Sequence, residues 1–544
     1  MKSYANGSST TPLLGQTIGE NLRHTVERFG DREALVVRSQ GYRATWNQLW
    51  EQTSLIARGL IAHGVARGDR VALWSPNRFE WVVLQFATAR IGAVLVNLNP
   101  AYKTAELEYA LNQSAASVVL LARAFRTNDY VKMLGEVRHH CHHLRLALVL
   151  DDDWEMLKSA GAHVTAQVLE ERERELQFDD AINIQYTSGT TGHPKGATLS
   201  HHNVLNNGFF VGETMRLTEA DRVCIPVPFY HCFGMVLGNL ACTTHGATMV
   251  IPGEAFEPQM VLETVAAERC TALHGVPTMF IGELDHPRFA QFDLSTLRTG
   301  IMAGSPCPIE VMKRVVSQMN MKEVTICYGM TETSPVSTLT TADDALEQRV
   351  STVGRVHPHV EVKVIDPETS AIVERGQPGE LCTRGYSVML GYWNDERATA
   401  AAIDRAGWMH TGDLATMDAG GYVKIVGRIK DMIIRGGENV YPREVEEFLH
   451  THAAVSEAQV IGVPSEKYGE EVMAWVRVRE GATIGAAELE AFCKGKIATY
   501  KIPRYWKVVT EFPMTVTGKV QKFRMRELAV LDLGLEVAAG AKTA

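Results

Sequence analysis

The stretch Tyr186-Thr187-Ser188-Gly189-Thr190-Thr191-Gly192-His193-Pro194-Lys195-Gly196 decides how the chain is read. Hydroxyls come from Thr187, Ser188, Thr190 and Thr191, backbone freedom from Gly189, Gly192 and Gly196, and a positive charge from Lys195. Glycine lets main-chain N–H groups turn toward an anion with no Cβ in the way, and hydroxyls and an ammonium complete such a cradle. A short strand, Ala181 to Tyr186, leads in, and Ser200 is placed as the N-cap of a helix through Asn206. Strand, glycine-rich loop and helix in that order predict a mobile loop that wraps a polyphosphate. It is not a Walker A loop, which needs Gly-Lys before Ser or Thr, because Lys195 lies between Pro194 and Gly196. A solvated Ser/Thr/Gly linker is the competing reading; the Pro-Lys-Gly just ahead of a helix start speaks against it.

Outward from this loop, helical and β-rich stretches alternate. Helices are expected at 49–63 and 79–91, and strands at 70–74, 94–98, 117–121, 222–227, 248–251, 272–276, 299–303 and 323–328. Near Gly354 the pattern turns β-rich, with strands at 360–365, 379–383 and 422–425, and past Gly427 to Asp431 a helix at 443–450 and strands at 457–463 and 472–478 follow. The fold class is α/β: a large N-terminal domain of layered α/β sheets plus a β-rich subdomain (1–429), then, past a boundary at Gly427 to Asp431, a small α+β domain (430–544).

A chain of 544 residues exceeds one compact core, and its net charge of −9 argues against an electrostatic grip on nucleic acid. No stretch suits a membrane span or a secretory h-region, and nine cysteines without any Cys-x-x-Cys suit a reducing, cytoplasmic setting. A homodimer stays open. His139 to His143, HHCHH, has adjacent ligands pointing in different directions and is read against a metal site.

Five further stretches carry chemistry: Gly304-Ser305-Pro306, YGMTET (328–333), WMHTGD (408–413), GRIKD with GGEN (427–439), and Thr517-Gly518-Lys519. Singly, Tyr328 reads as a core aromatic, Asp413 as a turn residue, and Arg428, Lys430 and Lys519 as surface charges. Together they supply what ATP-dependent activation of a carboxylate needs: a polyphosphate cradle, a carboxylate for magnesium, and a cation where negative charge develops.

At this point the chain resembles the acyl-adenylate-forming superfamily of acyl-CoA synthetases, peptide-synthetase adenylation domains and firefly luciferase. The resemblance rests on YTSGTTGHPKG (186–196), PFYHCFG (228–234), YGMTET, HTGD (410–413), GRIKDMIIRGGENVYPREVE (427–446) and PMTVTGKVQK (513–522), in the family's order. It implies that the opening loop holds the β- and γ-phosphates, that Tyr328 and Gly304 to Pro306 sandwich adenine, and that Glu332 binds Mg²⁺ with Thr187 and Thr331 near the phosphates. Asp413 would accept the ribose hydroxyls with help from Arg428. Lys519 would act in adenylation, and His231 would sit at the acyl-pocket entrance. After rotation about Lys430, Gly436 and Gly437 would face the site for coenzyme A.

Gly329 follows Tyr328 where acetate-specific relatives carry tryptophan, so acetate is disfavoured. Phe229, Tyr230, Phe233, Met235, Met302 and Met330 are expected around an apolar pocket. The implied activity is an ATP-dependent acid:CoA ligase acting on medium-chain fatty acids. An aryl-CoA ligase of the 4-coumarate type, a luciferase-like oxygenase and a non-catalytic adenylate-binding protein are the alternatives.

Overall fold

Apolar residues at nearly every position mark the segments 70–74, 94–97 and 118–121 as strands covered on both faces, the habit of parallel sheets. In the computed structural model, which describes residues 1–187, 194–305, 307–436, 438–514 and 520–535, they pair in parallel. Leu146–Val149 extends this sheet on one side; Ala181–Thr187, Lys195–Ser200 and Gly391–Tyr392 extend it on the other. A second large sheet aligns 248–251, 222–224, 272–273, 299–302 and 323–329 in parallel, edged by antiparallel strands.

Strand alternation sorts side chains between separate cores. Val71, Leu73, Leu35 and Val37 face a core shared by the two sheets, while Ala72, Trp74 and Val36 face outward-lying cores. Between the sheets lies the helix Phe79–Ile91, buried from Glu80 onward. Such burial all round requires an apolar sequence on every face, which FEWVVLQFATARI provides.

The β-rich region forms a third sheet in which Tyr4–Asn6 pairs with Val360–Ile365, so the extreme N-terminus is stitched into it. A smaller sheet follows Arg428, with Val455–Ser465 antiparallel to Gly469–Val478 and Tyr505–Val509 parallel to the latter.

One expectation needed correction, and one element had no expectation at all. The segment after the opening loop is a strand, Lys195–Ser200, antiparallel to Ala181–Thr187, so a strand and not a helix N-terminus comes first after it. Lys195 and Gly196 belong to that strand; Ser200 does cap a helix, His201–Thr214, through a capping box with Asn203. Phe233–Leu240 was not foreseen either: it is a π-helix, buried throughout, whose Met235 carbonyl accepts from the Gln85 amide at 3.1 Å.

Candidate active site

The carboxyl ends of parallel strands are where α/β sheets hold ligands. Here the ends of Ala181–Thr187 and Glu323–Gly329, from different sheets, meet: Thr187 Oγ1 lies 3.4 Å from Glu332 Oε1. Glu332 sits on the short 3₁₀ turn Thr331–Thr333, is 5 % exposed, and its backbone carbonyl accepts from Met389 N–H. A second donor, unforeseen from sequence, is Tyr392, whose hydroxyl reaches Glu332 Oε1 at 2.8 Å. Burial first, then the Glu332 charge, pushes the Tyr392 phenol well up, so it stays a donor. Lys195 Nζ stands 5.0 Å from the centre of the Tyr392 ring, which links the loop's cation to the same tyrosine. Ser188, Gly189, Thr190, Thr191 and Gly192 lie outside the described residues.

A third sheet supplies the other half. Asp413 lies on Met409–Met417 directly opposite Arg428 on Val423–Arg428, and Arg428 Nε donates to Asp413 Oδ1 at 3.1 Å. The other oxygen, Oδ2, accepts from the Tyr328 hydroxyl at 2.6 Å. Burial, followed by the charge of Asp413, raises the Tyr328 phenol well above its usual range. Burial opposes the Arg428 charge, yet Asp413, Asp431 and Tyr328 outweigh it and hold that guanidinium protonated. Asp413 is thus a strand residue, with Gly412 before it in the left-handed region at φ +69°.

Gly304, at φ +92°, and Ser305 leave the strand Thr299–Met302, whose Met302 pairs with Ile326 two residues before Tyr328. Cys307, missed in the sequence, closes this loop by donating to the carbonyls of Met302 and Ser305. Pro306 lies outside the described residues. Gly329 has a reason of its own: a Cβ there would stand 1.6 Å from the Pro335 carbonyl oxygen. In this chain's backbone a larger residue at 329 would force the Pro335 segment to shift, so the glycine answers to local packing as well as to pocket size.

His231 is half-buried at the entrance to the π-helix, its Nδ1 accepting from Phe233 N–H at 3.4 Å and its carbonyl from Gly234 and Met235. The expected apolar wall is split. Phe229, Phe233 and Met235 face the core between the two large sheets, but Met302 faces the core behind the second sheet. Period-two alternation puts Ile301 and Ala303 on the first side instead, and that alternation was visible in the sequence. His274, also overlooked, ties this wall together: Nε2 bonds the Leu237 carbonyl at 3.0 Å and Nδ1 accepts from Ile301 N–H. Burial lowers its pKa to about 4, so it is neutral.

In the small sheet, Gly436 turns the hairpin of Ile433–Arg435 and Glu438–Val440 at φ +61°, its N–H donating to the Tyr468 carbonyl. Gly437 and Lys519 lie outside the described residues. The base of the Lys519 loop is described: Met514 and Val520 bridge, and Lys522 donates to Glu446 at 2.5 Å and to the Val460 carbonyl at 3.0 Å.

Residues 22–393 match the model of the AMP-binding enzyme family, and 444–519 match that of the AMP-binding enzyme C-terminal domain. The chain belongs to the AMP-binding enzyme family. It is 49 % identical to the acyl-CoA synthetase YngI of Bacillus subtilis, over 95 % of this chain and 98 % of that one. It is 45 % identical to the mitochondrial medium-chain acyl-CoA ligase ACSF2 of Danio rerio, over 98 % and 91 %. Among solved structures, ATP-bound MatB from Rhodopseudomonas palustris superposes with a TM-score of 0.84 at 30 % identity, covering 95 % of this chain and all of that one. The protein is an acyl-CoA synthetase, with ATP and coenzyme A as co-substrates by family. Among its described residues no helix is long and apolar enough to cross a membrane.

Proposed function

We propose that this synthetase converts a medium-chain fatty acid to its acyl-adenylate and then to its CoA thioester. The observation that carries the reading is the meeting of two strand ends of the large sheets with the middle of a strand of the third sheet, which brings Thr187 to Glu332 and Tyr328 to Asp413. Asp413, with one oxygen on Tyr328 and one on Arg428, is preset for the ribose hydroxyls, and the Tyr328 ring with Gly304 and Ser305 for adenine.

Glu332 suits magnesium: it is a buried carboxylate, and its two side-chain hydrogen bonds among the described residues both fall on Oε1. Glu332 and Thr187 would hold the ion with phosphate oxygens and water, and its charge would offset that of the polyphosphate. Lys195 would draw the phosphates toward the opening loop, and Lys519 would stabilise charge developing at the α-phosphate.

For the second half-reaction the small domain (430–544) would turn about Lys430, withdrawing Lys519 and bringing Gly436 and Gly437 to the pantetheine path. Lys519→Ala is expected to stop pyrophosphate release while sparing thioester formation from supplied acyl-adenylate; loss of both would refute this division.

The acid class is supported by the name of the Danio rerio relative and by the apolar wall of Phe229, Phe233, Met235, Ile301 and Ala303. Nine cysteines without any Cys-x-x-Cys spacing support a reducing compartment such as the cytoplasm. The deciding experiment is pyrophosphate release over short- to long-chain fatty acids and aryl acids, with and without CoA. The reading expects the highest kcat/KM at medium chain length and a CoA-dependent thioester; faster turnover of aryl acids would overturn the acid assignment.

A further inference from the structure

Beneath the ribose carboxylate lies a group of side chains that the adenylation chemistry does not use. Glu380 and Cys382 occupy positions i and i+2 of Gly379–Gly385, and Cys382 pairs directly with His410 on Met409–Met417. A carboxylate oxygen, a thiol sulfur and an imidazole nitrogen therefore share one face, all within 4.8 Å of one another.

We propose that Glu380, Cys382 and His410 form a site for a thiophilic divalent cation of the zinc type, and that its occupancy regulates ATP binding. The spacing fits the ion. Tetrahedral zinc, with Zn–N of about 2.1 Å and Zn–S of about 2.3 Å, sets nitrogen and sulfur roughly 3.6 Å apart. His410 Nδ1 and Cys382 Sγ already stand 3.7 Å apart. The outer shell is in place too: the Asp404 carboxylate lies 3.8 Å from His410 Nε2, where metal-binding histidines hold a carboxylate. Lys363, opposite Cys382, carries its ammonium 4.3 Å from the centre of the Trp408 ring. His410 is partly exposed, and water on that side would supply the fourth ligand. Binding would displace the thiol proton to solvent.

The link to ATP runs through Glu380. Its Oε2 faces His410 Nδ1 at 2.9 Å and its Oε1 accepts from Gly412 N–H at 3.1 Å, one residue before Asp413. Two ligands on zinc need roughly 3.3 Å between oxygen and nitrogen, so the ion would spread Glu380 from His410 and shift the strand that presents Asp413. This coupling, though not the site, rests on the ribose role proposed for Asp413.

The test is titration of the full-length enzyme with Co²⁺, whose thiolate charge-transfer absorption reports the sulfur ligand. One saturable equivalent, displaced by Zn²⁺ and lost in Cys382→Ala, is expected. His410→Gln, at a more exposed position, should weaken the signal at least tenfold and serves if Cys382→Ala fails to fold. No absorption in the wild type, or the same absorption in both variants, overturns the site. Zn²⁺ should raise the KM for ATP several-fold in the wild type and leave it unchanged in Cys382→Ala. Equal inhibition of both marks chelation of ATP and overturns the coupling, while the Co²⁺ signal still reports the site.

Discussion

Glu332 and Asp413 are both partly or wholly buried carboxylates capped by a tyrosine hydroxyl, Tyr392 at 2.8 Å and Tyr328 at 2.6 Å. They differ in what balances their charge. Asp413 has Arg428 at 3.1 Å, whereas no ion pair to Glu332 exists among the described residues. A buried carboxylate without a protein cation is costly unless something else neutralises it. On the proposed reading the difference separates their tasks: the self-balanced group would serve neutral hydroxyls, and the unbalanced one a cation that arrives with the phosphates.

The largest test of that contrast is Glu332→Gln. It keeps an oxygen for Tyr392 and removes the charge, so adenylation should fall by about 10²- to 10³-fold, with excess Mg²⁺ recovering little. Pyrophosphate release against Mg²⁺ concentration checks it, and a wild-type profile would dissolve the comparison.

Asp413→Asn should act differently, raising the KM for ATP by about tenfold or more, as loss of charge-assisted hydrogen bonds of about 1.5–3 kcal/mol requires. Its Mg²⁺ dependence should stay put. Initial rates over an ATP series measure it.

Tyr392→Phe sharpens the point at smaller scale. Removing one hydrogen bond to Glu332, worth about 1 kcal/mol, should weaken apparent Mg²⁺ affinity several-fold with the ATP KM nearly unchanged.

The smallest effect near neutrality concerns the frame both carboxylates share. Burial depresses His201 and His274 to about 4 and His357 to about 3, against an ordinary value near 6.5. The folded chain keeps them neutral, while the unfolded chain takes up protons below 6.5. Their contribution is thus complete above that value and shrinks as pH falls toward 4. Thermal unfolding should be flat from about pH 8 to 7 and drop below about pH 6.

Much of this was legible in the chain. Arg70–Trp74 and Phe79–Ile91 fall where continuous apolar runs put them, because elements buried on all sides leave few polar residues to interrupt the run. Lys195–Ser200 was missed because KGATLS has weak strand character and is held by pairing on both sides, with Ala181–Thr187 and Gly391–Tyr392. Tyr392 was invisible for a related reason: it is 60 residues from Glu332, and no local signal ties an edge-strand tyrosine to a distant glutamate.

The sequence by itself determined the chemistry: which anion-binding, carboxylate and aromatic groups are present, and in what order, since side-chain functional groups are properties of residues. Tertiary structure alone decided their partners. It paired the strands flanking the opening loop with each other, gave Asp413 its arginine and left Glu332 without an ion pair among the described residues. It also turned Met302 away from the wall it seemed to line and made Gly329 a demand of the Pro335 carbonyl. Those outcomes depend on strand register and on the meeting of separate sheets, which single residues specify only jointly.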